Sequence, residues 1–396
     1  MPQVRSASLL GGGGCSPDRK LVAMTEAPRT TAPETALPGT ASTGTDVAAN
    51  WPDLLMTLMH GQDLTEEQAS WAMDQIMSGQ VPDVTMAAFL AAHHTKGETV
   101  AEIAGLVAAM MEHAVPLPGL EDSVDIVGTG GDRAKTANIS STAAMIISAT
   151  GQRVVKHGNR ATSSASGSAD VLEALGVRFD ITPEQTGIVA AEVGLAFCFA
   201  NVFHPSMQFV AAVRRQISVP TAFNILGPLT NPARARHTAI GVADAQMAPL
   251  VVGTLAKRGH QAVVFRSRDG LDELSNTDVN DVWEVRHGEV EHTTFDALDL
   301  GFDRVTKDDL RGGGPADNAK IMRSVLAGEK SPVRDIVLIN AAAALVSADE
   351  SGVGSFTERV AAKLRIAEDT VDAGLGAAKL DQLVTVSRRI AEANGA

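Results

Sequence analysis

From Trp51 onward the apolar residues recur at helical spacing. Pro52 suits a first helical turn, and Thr65-Glu66-Glu67-Gln68 has the capping-box pattern of a second helix that should stop at Gly79. The same period predicts helices over about 84–95 and 98–114, and four helices with short connections make a small all-α unit. At Ser123 the pattern changes to alternating strands and helices. Strands are predicted at 124–127, 153–156, 196–200, 237–242 and 261–265, with helices at about 140–149 and 169–175. Segments 282–285 and 290–294, joined through His287-Gly288, read as a β-hairpin and hence one antiparallel edge. Beyond Asn318 helices dominate again.

Such alternation builds a mostly parallel sheet covered by helices. The expected fold is therefore α/β: a small all-α N-terminal domain plus a larger α/β domain with a mostly parallel sheet and C-terminal helices. The boundaries are 47–118, which helices within 183–217 are expected to join, and 119–396. Residues 1–46 are mostly Gly, Ala, Ser, Thr and Pro with no apolar period, and read as a disordered tail. Leu9-Leu10 is too short for a signal-peptide core, and Met24 offers a second start. The most apolar later stretch, 188–203, is broken by Glu192, Gly194 and Asn201, so no membrane span and a cytoplasmic protein are expected.

Charge and composition then narrow the chemistry. Lys and Arg total 33 against 47 Asp and Glu, a formal net charge of −14, which argues against nucleic acid held on a broad basic surface. Tyr is absent and aromatics make up only 4%, so a base-stacking platform is not expected either. Two cysteines exclude a disulfide framework and a cysteine zinc site. The ten histidines form no H-E-x-x-H, and Ser163 and Ser164 lack a G-x-S-x-G elbow.

Four stretches carry candidate chemistry. In the first, a strand runs into Gly128-Thr129-Gly130-Gly131-Asp132, and Asn138, Ser140, Ser141 and Thr142 follow where a helix begins. Glycines admit positive φ and close approach of amides, and a helix N-terminus offers free N–H groups to phosphate. Arg133 stands where a dinucleotide fingerprint needs its third glycine, and no Gly-Lys-Ser/Thr of a Walker loop is present. The second stretch runs from Lys156-His157-Gly158-Asn159-Arg160 to Asp170, at the strand end where open α/β sheets bind ligands. With Arg133 and Lys135 it forms a local positive island in an acidic chain, suited to a small polyanion. In the third, adjacent Asp272 and Glu273 suit a hard cation such as Mg²⁺. The fourth places Arg214-Arg215 on a helix ahead of the proline-rich 220–232; either arginine could meet a carboxylate.

These blocks together resemble the anthranilate phosphoribosyltransferases of tryptophan biosynthesis. The resemblance spans roughly 54–393 and rests on GTGGD at 128–132, NISS at 138–141, KHGNR at 156–160, SGSAD at 166–170, FNILGPLTNP at 223–232 and DGLDEL at 269–274. Those enzymes transfer the phosphoribosyl group of phosphoribosyl pyrophosphate to the anthranilate amine and release pyrophosphate. The resemblance implies that 119–396 binds phosphoribosyl pyrophosphate, with two Mg²⁺ per subunit, in a homodimer that engages neither nucleic acid nor membrane. Phosphoribosyl pyrophosphate would be held by Gly128, Gly131, Asp132, Thr136, Asn138, Ile139, Ser140, Ser141, Lys156, His157, Gly158, Asn159, Arg160, Ala161, Thr162, Ser163, Ser164 and Ser168. Ser140 would serve one Mg²⁺ through the substrate, and Asp272 and Glu273 would hold the other. Gly128, Asn159 and Arg214 would contact anthranilate, Arg214 through the carboxylate. Lys156 would meet charge developing on the leaving group, and His157 would either take the amine proton or serve through a hydrogen bond. Ser141 replaces the threonine common in the family but keeps the hydroxyl. A pyrimidine nucleoside phosphorylase of the same fold and a non-catalytic nucleic-acid-binding relative are the alternatives.

Overall fold

The computed structural model describes residues 49–161 and 165–393. The tail expected at 1–46 and the candidate ligands Thr162, Ser163 and Ser164 lie outside them. The described residues fall within one compact unit.

The chain opens with α1 (Trp51–Met59), α2 (Glu66–Met77), α3 (Asp83–Lys96) and α4 (Val100–Glu112). Asn50 caps α1, and the capping box of α2 is complete: Thr65 Oγ1 accepts the Gln68 amide and Gln68 Oε1 accepts that of Thr65. One buried carboxylate staples this bundle. Glu102 Oε1 accepts the Leu64 N–H at 2.8 Å, while Oε2 accepts Lys96 Nζ at 2.9 Å and the Thr99 N–H at 2.8 Å. Burial alone would raise its pKa, but these donors together with nearby His93 hold it at about 2. Its contribution to stability is therefore full above its ordinary 4.5 and lost as pH falls toward 2. Glu102→Ala leaves the Leu64 and Thr99 amides without their acceptor and Lys96 with Asp63 alone, and is expected to cost about 3 kcal/mol, read as a drop in urea-unfolding stability at pH 7.

The sheet follows in the order β3-β2-β1-β4-β5-β6-β7. Its first half is built from β1 (Val124–Gly128), α5 (Ile139–Ala149), β2 (Val154–Gly158), α6 (Ser168–Ala174), α7 (Pro183–Val193) and β3 (Leu195–Phe199). The chain then passes through α8 (Ala200–Phe203), α9 (Gln208–Ile217) and α10 (Phe223–Leu229) to β4 (His237–Gly241), α11 (Ala248–Lys257) and β5 (Gln261–Ser267). These five strands are parallel. β6 (Asn280–Arg286) and β7 (Glu289–Phe295) add the antiparallel edge, turned through His287 and Gly288 at positive φ. Last come α12 (Pro315–Leu326), α13 (Pro332–Ser347), α14 (Phe356–Asp372) and α15 (Leu375–Glu392).

Each face of the sheet has its own core. Ala239 and Val263 point into one with α5, α13, α14 and α15, whereas Ile240 and Val264 point into the other with α10, α11 and the helical bundle. The helices within 183–217 divide between them. Val210 and Val213 of α9 join the bundle's core, but Val189 and Val193 of α7 pack in the α/β core beside β3 and α15. The buried stripe of α7 faces the edge strand that follows it after the left-handed Gly194, so within 183–217 it is α9 that packs with the bundle.

Candidate active site

The strand order reverses between β1 and β4, and ligands of open α/β sheets bind at the carboxyl ends of strands at such a point. There Gly128 and Gly241 stand opposite each other in register. Neither tolerates a side chain, because the 269–275 loop docks on both. A Cβ at 128 would fall 2.2 Å from Asp272 Oδ2, and one at 241 would fall 1.7 Å from the Asp272 carbonyl oxygen. Asp272 Oδ2 also accepts the Gly130 N–H at 2.7 Å, so the first and third sequence stretches meet directly.

The loop after β1 is wound unusually. Gly130 and Gly131 have positive φ, and so do the non-glycines Arg133 (58°) and Lys135 (56°). Left-handed non-glycine residues are uncommon and cluster at binding sites. Both side chains are exposed, and neither has a partner among the described residues. Beyond the loop, no side chain caps α5. Asn138 turns instead to the Ser166 carbonyl at 3.1 Å and accepts Asn318 Nδ2 at 2.8 Å. The N-terminal amides of α5 at Ser140 and Ser141 thus stay uncapped, as a phosphate site requires. Ser141 Oγ is buried without a partner, whereas Ser140 Oγ accepts Lys156 Nζ at 3.1 Å.

Lys156 is buried, and its Nζ also donates to the Ile126 carbonyl at 2.5 Å. Burial pulls its pKa down; the charges of Asp125, Glu273 and Asp272 oppose that. Burial, and then the neighbouring Asp132, push Asp272 up to about 7; Glu273 is raised by burial and by both aspartates. Asp132 gives one oxygen to the Ala134 amide, and its buried Oδ2 has no partner. The positive island expected here is corrected on two counts. Carboxylates surround Lys156, and the Arg160 guanidinium is engaged by Glu173 and Asp170 of α6 and lies over the Phe199 ring.

Two further candidates have their backbone amides engaged within the protein. The Ala161 amide donates to Asp170 Oδ2 at 2.9 Å. The Ile139 amide turns to the Ala137 carbonyl, and its side chain is core. Gly158 and Ser168 are brought together, since a Cβ at 158 would meet Ser168 Oγ at 2.3 Å. Asn159 accepts the Arg160 amide through Oδ1 and Ser168 Oγ through its carbonyl. Thr136 forms an isolated bridge with Arg311.

His157 and Arg214 flank α10. His157 Nδ1 lies 3.0 Å from the Gly227 carbonyl, which can only accept, so Nδ1 carries the hydrogen and the buried Nε2 is a bare acceptor. Burial and adjacent His204 lower its pKa to about 3. Arg214 is half-buried, with its guanidinium carbon 5.2 Å from the Phe223 ring centre, and has no acidic partner among the described residues. Arg215 faces solvent. Helical phase thus separates the two arginines that the sequence left level.

Two family models match the chain, a glycosyl transferase helical bundle domain at residues 52–114 and a glycosyl transferase a/b domain at residues 120–375. The chain is 53% identical over 338 residues to the anthranilate phosphoribosyltransferase of Arthrobacter sp. strain FB24, covering 85% of this chain and 96% of that one. The chain belongs to the anthranilate phosphoribosyltransferase family. The crystal structure of the family's Thermus thermophilus member superposes with a TM-score of 0.79 at 38% identity, over 85% of this chain and 99% of that one. The Saccharomyces cerevisiae member, solved in complex with PRPP and Mg, shares the fold with a TM-score of 0.78 at 24% identity, over 86% of this chain and 98% of that one.

Sequence reading missed three buried polar residues of this anthranilate phosphoribosyltransferase fold. Asn318 fixes Asn138, Asn231 reaches the core of the site, and Asp125 lies behind Lys156. The visible signal was a carboxylate inside the apolar strand Val124-Asp125-Ile126-Val127.

Proposed function

We propose that this chain transfers the 5-phosphoribosyl group of phosphoribosyl pyrophosphate to the amine of anthranilate, giving N-(5-phosphoribosyl)anthranilate and pyrophosphate in tryptophan synthesis. The observation that carries the reading is the docking of Asp272 on the Gly128–Gly131 loop beside the uncapped α5.

The residues divide the work. The amides of Gly131, Ser140 and Ser141, with Lys156 and the Ser140 hydroxyl, hold the pyrophosphate, and Arg133 and Lys135 add charge at the rim. Among the described residues no three His, Cys, Asp or Glu side chains close a metal cage. The carboxylate pair of Asp272 and Glu273, near the unpartnered Oδ2 of Asp132, fits Mg²⁺ that keeps waters and substrate oxygens as its other ligands. We assign two ions per subunit, the second through substrate near Ser140. Bound there, Mg²⁺ would offset charge on the departing pyrophosphate. Arg214, with Phe223 beneath it, receives the anthranilate carboxylate, and Gly128 and Asn159 border the ring. The amine is neutral at pH 7, so holding it in line supplies most of what the nucleophile needs. His157 Nε2 orients that amine as a hydrogen-bond acceptor; a conjugate acid near 3 is too strong to keep a full proton.

The reading is tested by pyrophosphate release from phosphoribosyl pyrophosphate with Mg²⁺, dependent on anthranilate. Thymidine phosphorolysis in its place would support the nucleoside phosphorylase instead. Arg214→Ala is expected to raise the KM for anthranilate by about 10²-fold, since a charge-assisted carboxylate contact is worth ~3 kcal/mol. The KM for phosphoribosyl pyrophosphate should change far less, and equal shifts in both would remove the assignment.

The assembly in this reading is a cytoplasmic homodimer. No helix among the described residues is long and apolar enough to cross a membrane. Met56 and Met59 of α1 and Phe209 of α9 are exposed on helices that both pack on α3.

A further inference from the structure

β1 and β2 are neighbours that part almost at once. They register only at Val124 and Val154, whereas β2 and β3 stay paired from Val154 and Leu195 to Gly158 and Phe199. Side chains close the gap. Asp125 Oδ1 accepts the His157 N–H at 3.2 Å, a hydrogen that a neighbouring strand's carbonyl would ordinarily take. Asp125 Oδ2 accepts Asn231 Nδ2 at 2.8 Å, and the same nitrogen donates to the Val155 carbonyl at 2.8 Å. Asn231 Oδ1 is held in turn by the Ala233 amide at 2.9 Å. From the other side Lys156 Nζ spans to the Ile126 carbonyl.

Asp125 is 1% exposed, and a strand packed on both faces has no structural need of a carboxylate there. Burying one costs several kcal/mol unless its partners answer it. Burial raises the carboxyl to about 6 against the charge of Lys156 and the donated hydrogens, so at neutral pH it is an anion with a donor on each oxygen.

We propose that Asp125 is a positioning residue for the transfer reaction: paired with Asn231, it clamps the parted ends of β1 and β2 so that Lys156 and His157 are held in place. This rests on the function proposed above. The clamp also reaches α10, because Asn231 closes the crossing whose Gly227 carbonyl holds His157. Both carboxylate oxygens of Asp125 are taken by protein donors, so its loss misplaces groups that act in the transition state rather than removing a binding contact.

The test compares Asp125→Asn, Asn231→Ala and the double variant with wild type at 25 °C, recording kcat, both KM values and the thermal midpoint. Asparagine at 125 can still accept the His157 hydrogen, but its amide nitrogen then confronts that of Asn231. Each single variant is expected to lose about 10- to 100-fold in kcat, with both KM values within about threefold of wild type. The double variant should lose no more than the worse single, as for two parts of one device. Glu102→Gln, in the helical bundle, serves as control; it should lower the midpoint and leave kcat unchanged. Asp125→Asn with a lowered midpoint and kcat within twofold of wild type would overturn the proposal, as would losses that multiply in the double variant. Wild type that forms no phosphoribosylanthranilate would overturn the functional reading, and this proposal with it.

Discussion

Asp272→Asn should lower kcat/KM by about 10³-fold, the scale on which loss of a charge-stabilising group at a reacting centre is felt, and should also stabilise the metal-free protein at pH 8. The two effects share one cause. Burial foremost, and then Asp132, push the Asp272 carboxyl up from 3.8 to about 7. A folded-state value above the unfolded one favours the fold below pH 4, and that advantage is lost as pH rises through about 7. Above that range the metal-free protein carries an ionised carboxylate beside Glu273 and Asp132 with only Lys156 to offset it. Asparagine keeps the acceptor for the Gly130 amide and removes the charge. Thermal scans at pH 5 and pH 8 should show the variant above wild type only at pH 8, without metal. MgCl₂ with phosphoribosyl pyrophosphate should raise the wild-type midpoint and move the variant's much less. A variant that retains activity, or no difference between the two pH values, would remove Asp272 from the metal site.

The second large effect is expected at Lys156. Lys156→Met fits the same buried space but takes away the one ammonium among Asp125, Asp272 and Glu273 and the donor to Ser140 Oγ. Loss of that fixed charge should reduce kcat by about 10²–10³-fold. It should also raise the three carboxyl pKa values further, since the opposing positive charge has gone. The pH at which MgCl₂ with phosphoribosyl pyrophosphate begins to stabilise the protein should therefore move to the alkaline side. Unchanged onset, measured by thermal scans from pH 6 to pH 9, would show that Lys156 does not communicate with the carboxylates.

Much of this architecture is written locally and could be read locally. The capping box at Thr65, proline at the start of α1 and the hairpin at His287-Gly288 each depend on a few neighbouring residues, and all stand where the sequence puts them. The ends of β1 and α5 could likewise be read, because a glycine run followed by small polar residues marks a strand, a turn and a helix start. What could not be read is proximity between distant segments. Lys156 and Arg160 looked like one cationic patch, but Asp272 arrives from another loop and Glu173 from the next helix. Asp125 and Asn231 are 106 positions apart, and only the parting of β1 and β2 brings them together. Residue spacing alone did not separate Arg214 from Arg215, and the phase of α9 leaves the first half-buried and the second in solvent.

The core shared by the bundle, α10, α11 and one face of the sheet has a consequence for anyone who would cut the protein into modules. A fragment ending after α4 would leave behind the partners that cover its apolar side, among them Val210, Phe223, Val251 and Val264. Such a piece should express as an aggregate or a loosely collapsed chain. Calorimetry on the intact protein should correspondingly show a single endotherm rather than a separate early melting of the N-terminal helices.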